Sequence, residues 1–418
     1  MKFSFGKTFL LGLGFFGVSV IWSVYNAFVP VMLEERFFLL PGFIGMFMTL
    51  DNIAALFIQP AVGAWSDRLR TTIGRRMPFI IIGAPIAALA FIVLPLATSL
   101  ALFFLAAMAL LLSMAIWRTP VVALMPDITP SKYRSQANGI INFMGGLGAI
   151  IAFLGGASLY KMNPNYPFWL GSILVALSAI LVFIFIKEPK EYDRKPGETP
   201  TLIDSVKFIL RDKDRSALNM LLAIFFWFIA YNGIEALFTL YGKNHLGLAV
   251  EDGSRLLGHL SLFFVLFSLP AGYIGAAITR KRTILMGLFI MAACVVAMAV
   301  LPAPTLTNVL TKLPLLGQIP VISVILMIVG IGWAFININS LPMVVDMTDS
   351  GRIGTYTGLY YLFSTMAAIA GPTMYGWIVQ LSGNNYNLLM IISPLALMLA
   401  AICVFRVKRG EAVENPIK

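Results

Sequence analysis

Hydrophobic residues in this chain come in long unbroken blocks separated by short polar interruptions, with neither the strict alternation of a strand nor a narrow helical stripe. A hydrocarbon layer about 30 Å thick needs around 20 apolar residues per helix at 1.5 Å each. Twelve blocks reach that length, at about 8–30, 42–66, 77–97, 100–126, 138–160, 166–187, 216–241, 254–279, 283–302, 319–347, 353–380 and 386–406. The pattern predicts an all-α integral membrane protein with twelve transmembrane helices. Connections are short except for residues 187–215, which contain KEPKEYDRKPGETP and divide the blocks six and six. The expected organisation is a six-helix bundle over 1–187, a linker over 188–215 and a second bundle over 216–418. Within the linker, Leu202, Ile203, Val206 and Ile209 fall on one face of a short predicted surface helix.

Composition agrees with a membrane protein. Of 418 residues, 59% are hydrophobic and 12% charged, with a mean hydropathy of +0.88; soluble domains carry about 25% charged residues. The net charge of +11 does not point to nucleic acid, because the basic residues recur in short loops instead of forming one polar surface. One side collects 24 of the 30 Lys and Arg residues, five lie on the other, and Arg118 is inside a block. By the positive-inside rule both termini are cytoplasmic, which fits a multi-pass plasma-membrane protein, or the inner membrane of a bacterium. Lys2 and Lys7 precede a long apolar run with no A-x-A site, so a retained first helix is expected rather than a signal peptide. Two cysteines and two histidines leave no disulfide scaffold and no Cys/His metal cluster. No Walker motif and no clustered acid/base constellation occurs, so neither an ATP-driven pump nor an enzyme is expected, and no cofactor.

The two sets of six blocks echo one another. PDITPSKYRSQANG follows the fourth block and VDMTDSGRIGTYTG the tenth; Asp127 to Gly139 and Asp346 to Gly358 are each twelve residues apart, with Arg134 and Arg352 between. Gly63 to Arg76 after the second block has a weaker echo in Gly272 to Arg282 after the eighth. Parallel repeats of this kind place a substrate site between the halves near the bilayer midplane.

Charge inside the blocks is where chemistry is expected. Asp51 lies about 24 Å above Asp67 at the end of its helix, Gln59 about 12 Å, and Arg118 about 13 Å above Asp127. Arg118 is thus level with Gln59, and an Asp51–Arg118 pair needs an upward reach or tilted helices. An arginine at membrane depth costs about 3 kcal/mol and must face a partner or a wet cavity. Two readings are open: an ion pair that only ties helices, or an arginine for substrate hydroxyls beside an aspartate that takes and releases a cation. Glu235 follows Tyr231-Asn232-Gly233, a weak helical stretch and a candidate helix break lining a cavity; hydration near the outer surface is the alternative. The candidate proton-coupling residues are Asp51 and Glu235. The candidate substrate set is Arg118, Gln59, Asn52, Trp22, Tyr25, Asn26, Asn142, Tyr231, Asn232, Asn337, Asn339, Tyr360 and Tyr361. Aromatic faces can hold sugar rings while Asn, Gln and Arg bind hydroxyls; for each residue singly, packing or interhelical hydrogen bonding is the alternative. Gly63, Asp67, Arg68, Arg75, Arg76, Asp127, Arg134, Asp346 and Arg352 sit at helix ends and are assigned to gating. Asp67 is expected to hold the opposite half through Arg352 or a helix N-terminus.

These residues also carry a resemblance. GAWSDRLRTTIGRRMPF resembles the helix 2–3 motif of the major facilitator superfamily. Its spacing between Asp67-Arg68 and Gly74-Arg75-Arg76, with Pro78, is similar to the sucrose–proton symporters and the glycoside–pentoside–hexuronide carriers. WRTPVVALMPD resembles the fourth helix of the sucrose carriers, intramembrane arginine included, and QANG after Arg134 fits the same group. The resemblance implies a monomeric secondary transporter that symports a sugar, sucrose or another disaccharide or glucoside. Carriers of another solute, such as a drug, a lysolipid or a sodium-coupled glycoside, are the alternative. Melibiose carriers use aspartates on helices 2 and 4 for sodium; Gln59 and Arg118 stand at the matching places here, which favours a proton as the coupling ion.

Overall fold

The computed structural model describes residues 5–129, 134–188, 214–348 and 352–411. The linker stretch around Leu202 lies outside the described residues, and so does the side chain of Arg134, whose backbone opens a helix. Among the described residues, twelve helices are long and apolar enough to cross a membrane. In the first half they are α1 (Phe5–Phe37), α2 with α3 (Pro41–Phe47, Leu50–Arg68), α4 (Met77–Val93), α5 (Leu100–Ile128), α6 with α7 (Arg134–Ile150, Gly156–Met162) and α8 (Tyr166–Phe185). The second half has α9 (Ser216–Asn244), α10 (Val250–Ile278), α11 (Arg280–Val300), a short α12 (Ala303–Thr307), α13 (Val321–Val345), α14 (Ile353–Leu381) and α15 (Leu388–Phe405).

Two spans are interrupted where a hydropathy pattern reads straight through. The second breaks at Met48–Thr49, between α2 and α3. Thr49 donates its hydroxyl to the Met46 carbonyl (2.8 Å) and so leaves the new helix start uncapped by a side chain. Asp51 occupies the first turn of α3, where the Asn52 backbone N–H donates to the Thr49 carbonyl (3.0 Å). The positive end of a helix dipole offsets a carboxylate there. The fifth span carries a π-helical segment, Ile151–Gly155, between α6 and α7. Conversely, the break expected at Tyr231-Asn232-Gly233 is absent. α9 runs continuously from Ser216 to Asn244, and Gly233 is there because the Tyr375 ring of α14 lies 2.8 Å from where a Cβ would stand. Before α13, a two-stranded antiparallel hairpin, β1 (Val309–Leu313) and β2 (Gly317–Pro320), occupies residues whose last two the sequence reading gives to the tenth helix.

Both halves are built on one frame. Arg76 binds Ser66, Asp67 and Asp127, the last at 3.1 Å, and Arg280 binds Asp346 at the matching place. The Glu188 carboxylate accepts the backbone N–H groups of Arg75, Arg76 and Met77 (2.8–2.9 Å), capping α4. Glu411 accepts those of Arg280 and Lys281 (2.8 Å each), capping α11. A Cβ added at Gly63 would lie 3.6 Å from Thr119, and one at Gly272 3.6 Å from Ile338. Thr119 and Ile338 each precede their Asp127 or Asp346 by eight residues. The internal repeat is therefore a repeat of contacts as well as of loops.

The halves meet unevenly along the membrane normal. Among described residues, every hydrogen bond, ion pair and ring contact joining them lies at mid-depth or toward the face away from the termini. There Lys243 pairs with Glu34 and Glu35 (2.8 Å each), and Asn244 and Tyr386 donate to Glu34 (2.8 and 3.1 Å). Gly42 N–H donates to Gln380 (3.0 Å), and Phe43 packs on Trp377. Helices α2 and α14 approach so closely that a Cβ at Gly45 would be 2.2 Å from the Pro372 carbonyl oxygen. On the face bearing the termini, the ionic contacts among described residues stay within each half. Among the described residues, the polar and ring contacts between the halves thus gather toward one end of the bundle.

Candidate transport site

Asp51, Arg118 and Glu235 come together between the halves. Each is half-buried: deep in the bundle, yet reached by a water-sized sphere. Asp51 on α3 receives a hydrogen bond from the Asn52 amide (2.9 Å) and lies within electrostatic reach of Arg118 on α5, of Tyr25 on α1 and of Glu235 on α9. Arg118 also reaches Tyr361 on α14. Asn26 on α1 lies near Glu235 across the division between the halves. No ion pair closes between Asp51 and Arg118, in keeping with the height difference read from helix rise. The two charges act on one another without a closed ion pair, which separates this cluster from a plain structural salt bridge.

Aromatic side chains complete the walls. Tyr231 stacks on Trp333 of α13 at 4.0 Å with rings nearly parallel, and Phe228 sits edge-on to both Trp333 and Tyr360. On the other side Trp22 and Tyr25 form an edge-to-face pair. The Trp22 indole N–H and the Tyr25 hydroxyl are buried without a hydrogen-bond partner, polar atoms that a bound solute or water would satisfy. Tyr25-Asn26 lies on the first helix of one half and Tyr231-Asn232 on the first helix of the other, each tyrosine within electrostatic reach of one of the two carboxylates.

Other candidates sort differently. Asn339 is 3% exposed, and its amide donates to the Ala271 and Phe335 carbonyls (3.1 and 2.9 Å); it ties α13 to α10 and leaves the substrate set. Tyr360 is buried with its hydroxyl on Ser340 (3.0 Å), whereas neighbouring Tyr361 is 57% exposed. Tyr361 is the one of that pair within electrostatic reach of Arg118. Asn232 donates to the Phe228 carbonyl of its own helix (2.8 Å). Gln59 and Asn337 are half-buried, and Asn142 is exposed on α6. Asp67, expected to reach Arg352 or a helix N-terminus of the opposite half, binds Arg76 and Arg75 of its own half. Arg75 and Arg76 share Asp127 (2.7 and 3.1 Å), Arg68 is exposed at the end of α3, and Arg352 is exposed at the start of α14.

Two helix-capping residues, two at the contact between the halves and one in the wall are not singled out by the sequence. Glu188 and Glu411 follow the sixth and twelfth blocks, and that recurrence was the available signal. Glu34 and Lys243, of opposite charge, follow the first and seventh blocks within a few residues. Trp333 gave no signal, because an indole within an apolar block looks like any other core residue.

The model of the Major Facilitator Superfamily matches residues 11–372 and residues 256–417. The chain belongs to the major facilitator superfamily. It is similar to a class D tetracycline resistance protein of Salmonella ordonez, 22% identical over 93% of each chain. It is also similar to a hexuronate transporter of Bacillus subtilis, 24% identical over 69% of this chain and 70% of that one. Among solved structures, a nucleoside transporter, NupG, superposes with a TM-score of 0.74 at 16% identity, covering 96% of this chain and 100% of the other. As a member of the superfamily the chain is a multi-pass membrane transporter for a small molecule, not an enzyme.

Proposed function

We propose that this transporter symports a sugar or glycoside with a proton by alternating access, with Asp51 and Glu235 carrying the proton and Arg118 holding substrate hydroxyls. The observation that carries the reading is the meeting of two carboxylates from opposite halves with one arginine, beside aromatic faces, with no ion pair consuming the charge. A ring stacked on the Tyr231–Trp333 wall lies within reach of donors from both halves, so loading the site draws the halves together. An ionised, empty Asp51 opposes closure because closing removes water from an unneutralised charge; a proton and a substrate together remove that cost. The kinship with a hexuronate transporter supports a sugar-like cargo, and Gln59 and Arg118, standing where a sodium site would need carboxylates, support the proton over sodium.

In the plasma membrane the face bearing the termini is cytoplasmic by the distribution of Lys and Arg, so the polar and ring contacts between the halves gather toward the outer side. The protein acts as a monomer, since each chain supplies both halves of the site. A second reading, proton-driven efflux of an amphipathic compound, draws on the likeness to a tetracycline resistance protein along nearly the whole chain. The test is uptake of labelled sucrose, then of a glycoside and sugar-acid panel, into proteoliposomes under an inward proton gradient without sodium. Gradient-dependent accumulation is expected for at least one sugar. Accumulation only with sodium, or of tetracycline under a gradient set for antiport and no sugar at all, overturns the assignment.

A further inference from the structure

The hairpin between α11 and α13 carries the most exposed large hydrophobic side chain among the described residues. Leu315, in the turn joining β1 to β2, is 96% exposed and adopts φ +68°. That left-handed conformation costs a non-glycine residue about 1–2 kcal/mol, and turns in water fill it with Gly, Asn or Asp. Leucine is unsuited to such a position twice over, by conformation and by solvation. Val309, Leu310 and Leu313 on β1 are also 43–57% exposed. An apolar strand of this kind facing water invites edge pairing and aggregation.

The hairpin does not stand away from the bundle. Its turn folds back so that the Leu316 carbonyl meets His259 (3.1 Å), while the other ring nitrogen of His259 meets Ser323 (3.0 Å). His259 lies nine residues into α10, about 14 Å along its axis, and Ser323 is in the first turn of α13. The base is closed by the Val321 N–H on the Asn308 carbonyl (3.0 Å), and Leu306 and Ile319 are buried beneath. The tip is therefore held level with the first turn of a membrane-spanning helix, with its apolar side chains turned outward. The position continues the apolar belt: Val300, the last residue of α11, is 75% exposed. Lys312 lies between Leu310 and Leu313, where its stem can follow them while its ammonium reaches phosphate. Among the described residues, Phe38 is the other large apolar side chain that combines a positive φ (54°) with near-complete exposure (84%). It follows α1 on the same face.

We propose that this hairpin is a lipid-seated element: Leu310, Leu313 and Leu315 lie in the headgroup–acyl boundary of the leaflet opposite the termini, with Lys312 at the phosphate level. Apolar side chains at this boundary gain binding free energy in proportion to their buried area. The placement supplies the medium that the Leu315 turn otherwise lacks.

The test uses the full chain with Cys294→Ala and Cys403→Ala, so that a single cysteine can be labelled with an environment-sensitive fluorophore. Leu315→Cys is compared with Asn385→Cys, an exposed polar loop position on the same face. Both are reconstituted in phosphatidylcholine–phosphatidylglycerol vesicles at one protein per vesicle. The label at 315 is expected to be quenched by shallow spin-labelled lipid and shielded from an aqueous quencher, and the label at 385 to show the reverse. Equal aqueous quenching at both sites overturns the proposal. Shielding at 315 that arises only at high protein density, without lipid quenching, also overturns it and assigns the surface to a second copy of the chain. A Leu310→Cys label repeats the measurement without disturbing the turn, so misfolding at 315 cannot imitate either result.

Discussion

The two halves of this transporter share a skeleton and differ in what that skeleton presents to the space between them. Arg76–Asp127 and Arg280–Asp346, the Glu188 and Glu411 caps, and the Gly63–Thr119 and Gly272–Ile338 contacts occur in both. At equal distance from those aspartates, however, the first half has Arg118 and the second Asn337. The first half contributes Asp51 and a wall of charge; the second contributes Glu235 and a wall of aromatic rings. Duplication makes contacts that hold a bundle together, and it makes them twice. Groups that appear once are free of that duty, and here they gather at the centre.

The comparison can be strained first at the shared skeleton. Asp127 is 14% exposed and serves two guanidinium groups, whereas Asp346 is 38% exposed and serves one. Removing a partner from a largely buried pair costs about 3 kcal/mol, and from a solvated one about 1 kcal/mol or less. Asp127→Asn should therefore lower the unfolding midpoint in detergent clearly more than Asp346→Asn. Equal losses would mean that the two halves bear load alike.

Next comes the unrepeated charge. Arg118→Lys keeps the charge and loses the planar fork, and charged hydrogen bonds contribute about 1.5–3 kcal/mol. Uptake should fall by about tenfold or more with little change in thermal stability; a matching loss of stability would return Arg118 to a structural role. A smaller effect is expected at the face where the halves meet. Lys243→Ala removes two partly exposed ion pairs to Glu34 and Glu35, together about 1 kcal/mol. It should raise cysteine accessibility on that face severalfold while leaving the fold intact, and unchanged accessibility would remove the latch from the gate. Smallest of all, Gly63→Ala and Gly272→Ala add a methyl at ordinary contact distance, 3.6 Å in both. Each should alter stability by less than about 0.5 kcal/mol, the usual range for a substitution that breaks no special feature, and by the same amount.

Much of the architecture was legible because lipid imposes it. Twelve apolar blocks, their six-and-six division and the Asp127/Asp346 echo needed only length, hydropathy and spacing. Asp51, Arg118 and Glu235 stood out because ionisable groups at membrane depth are rare. What stayed hidden depends on distances across the sequence. The break at Met48–Thr49 leaves hydropathy unchanged, and its trace was only that Asp51 sits where a new helix would start. Gly233 looked like a helix break but answers to Tyr375, 142 positions away. Asn339 and Tyr360 resembled cavity residues until their partners, the Ala271 carbonyl and Ser340, were in place. The hairpin carried a trace in Pro314 and Gly317, but with Leu315 and Leu316 between them the turn reads as part of the apolar surroundings and lacks the polar residues that mark one in water.

The central claim is that the charges occurring once perform the coupling. The direct measurement sets two assays side by side on Asp51→Asn in proteoliposomes: proton-gradient-driven accumulation of the transported sugar, and its exchange at equilibrium without a gradient. Lost accumulation with preserved exchange is the predicted result, since a neutral side chain lets the loaded halves rock without carrying a proton. Undiminished gradient-driven accumulation by Asp51→Asn would contradict it.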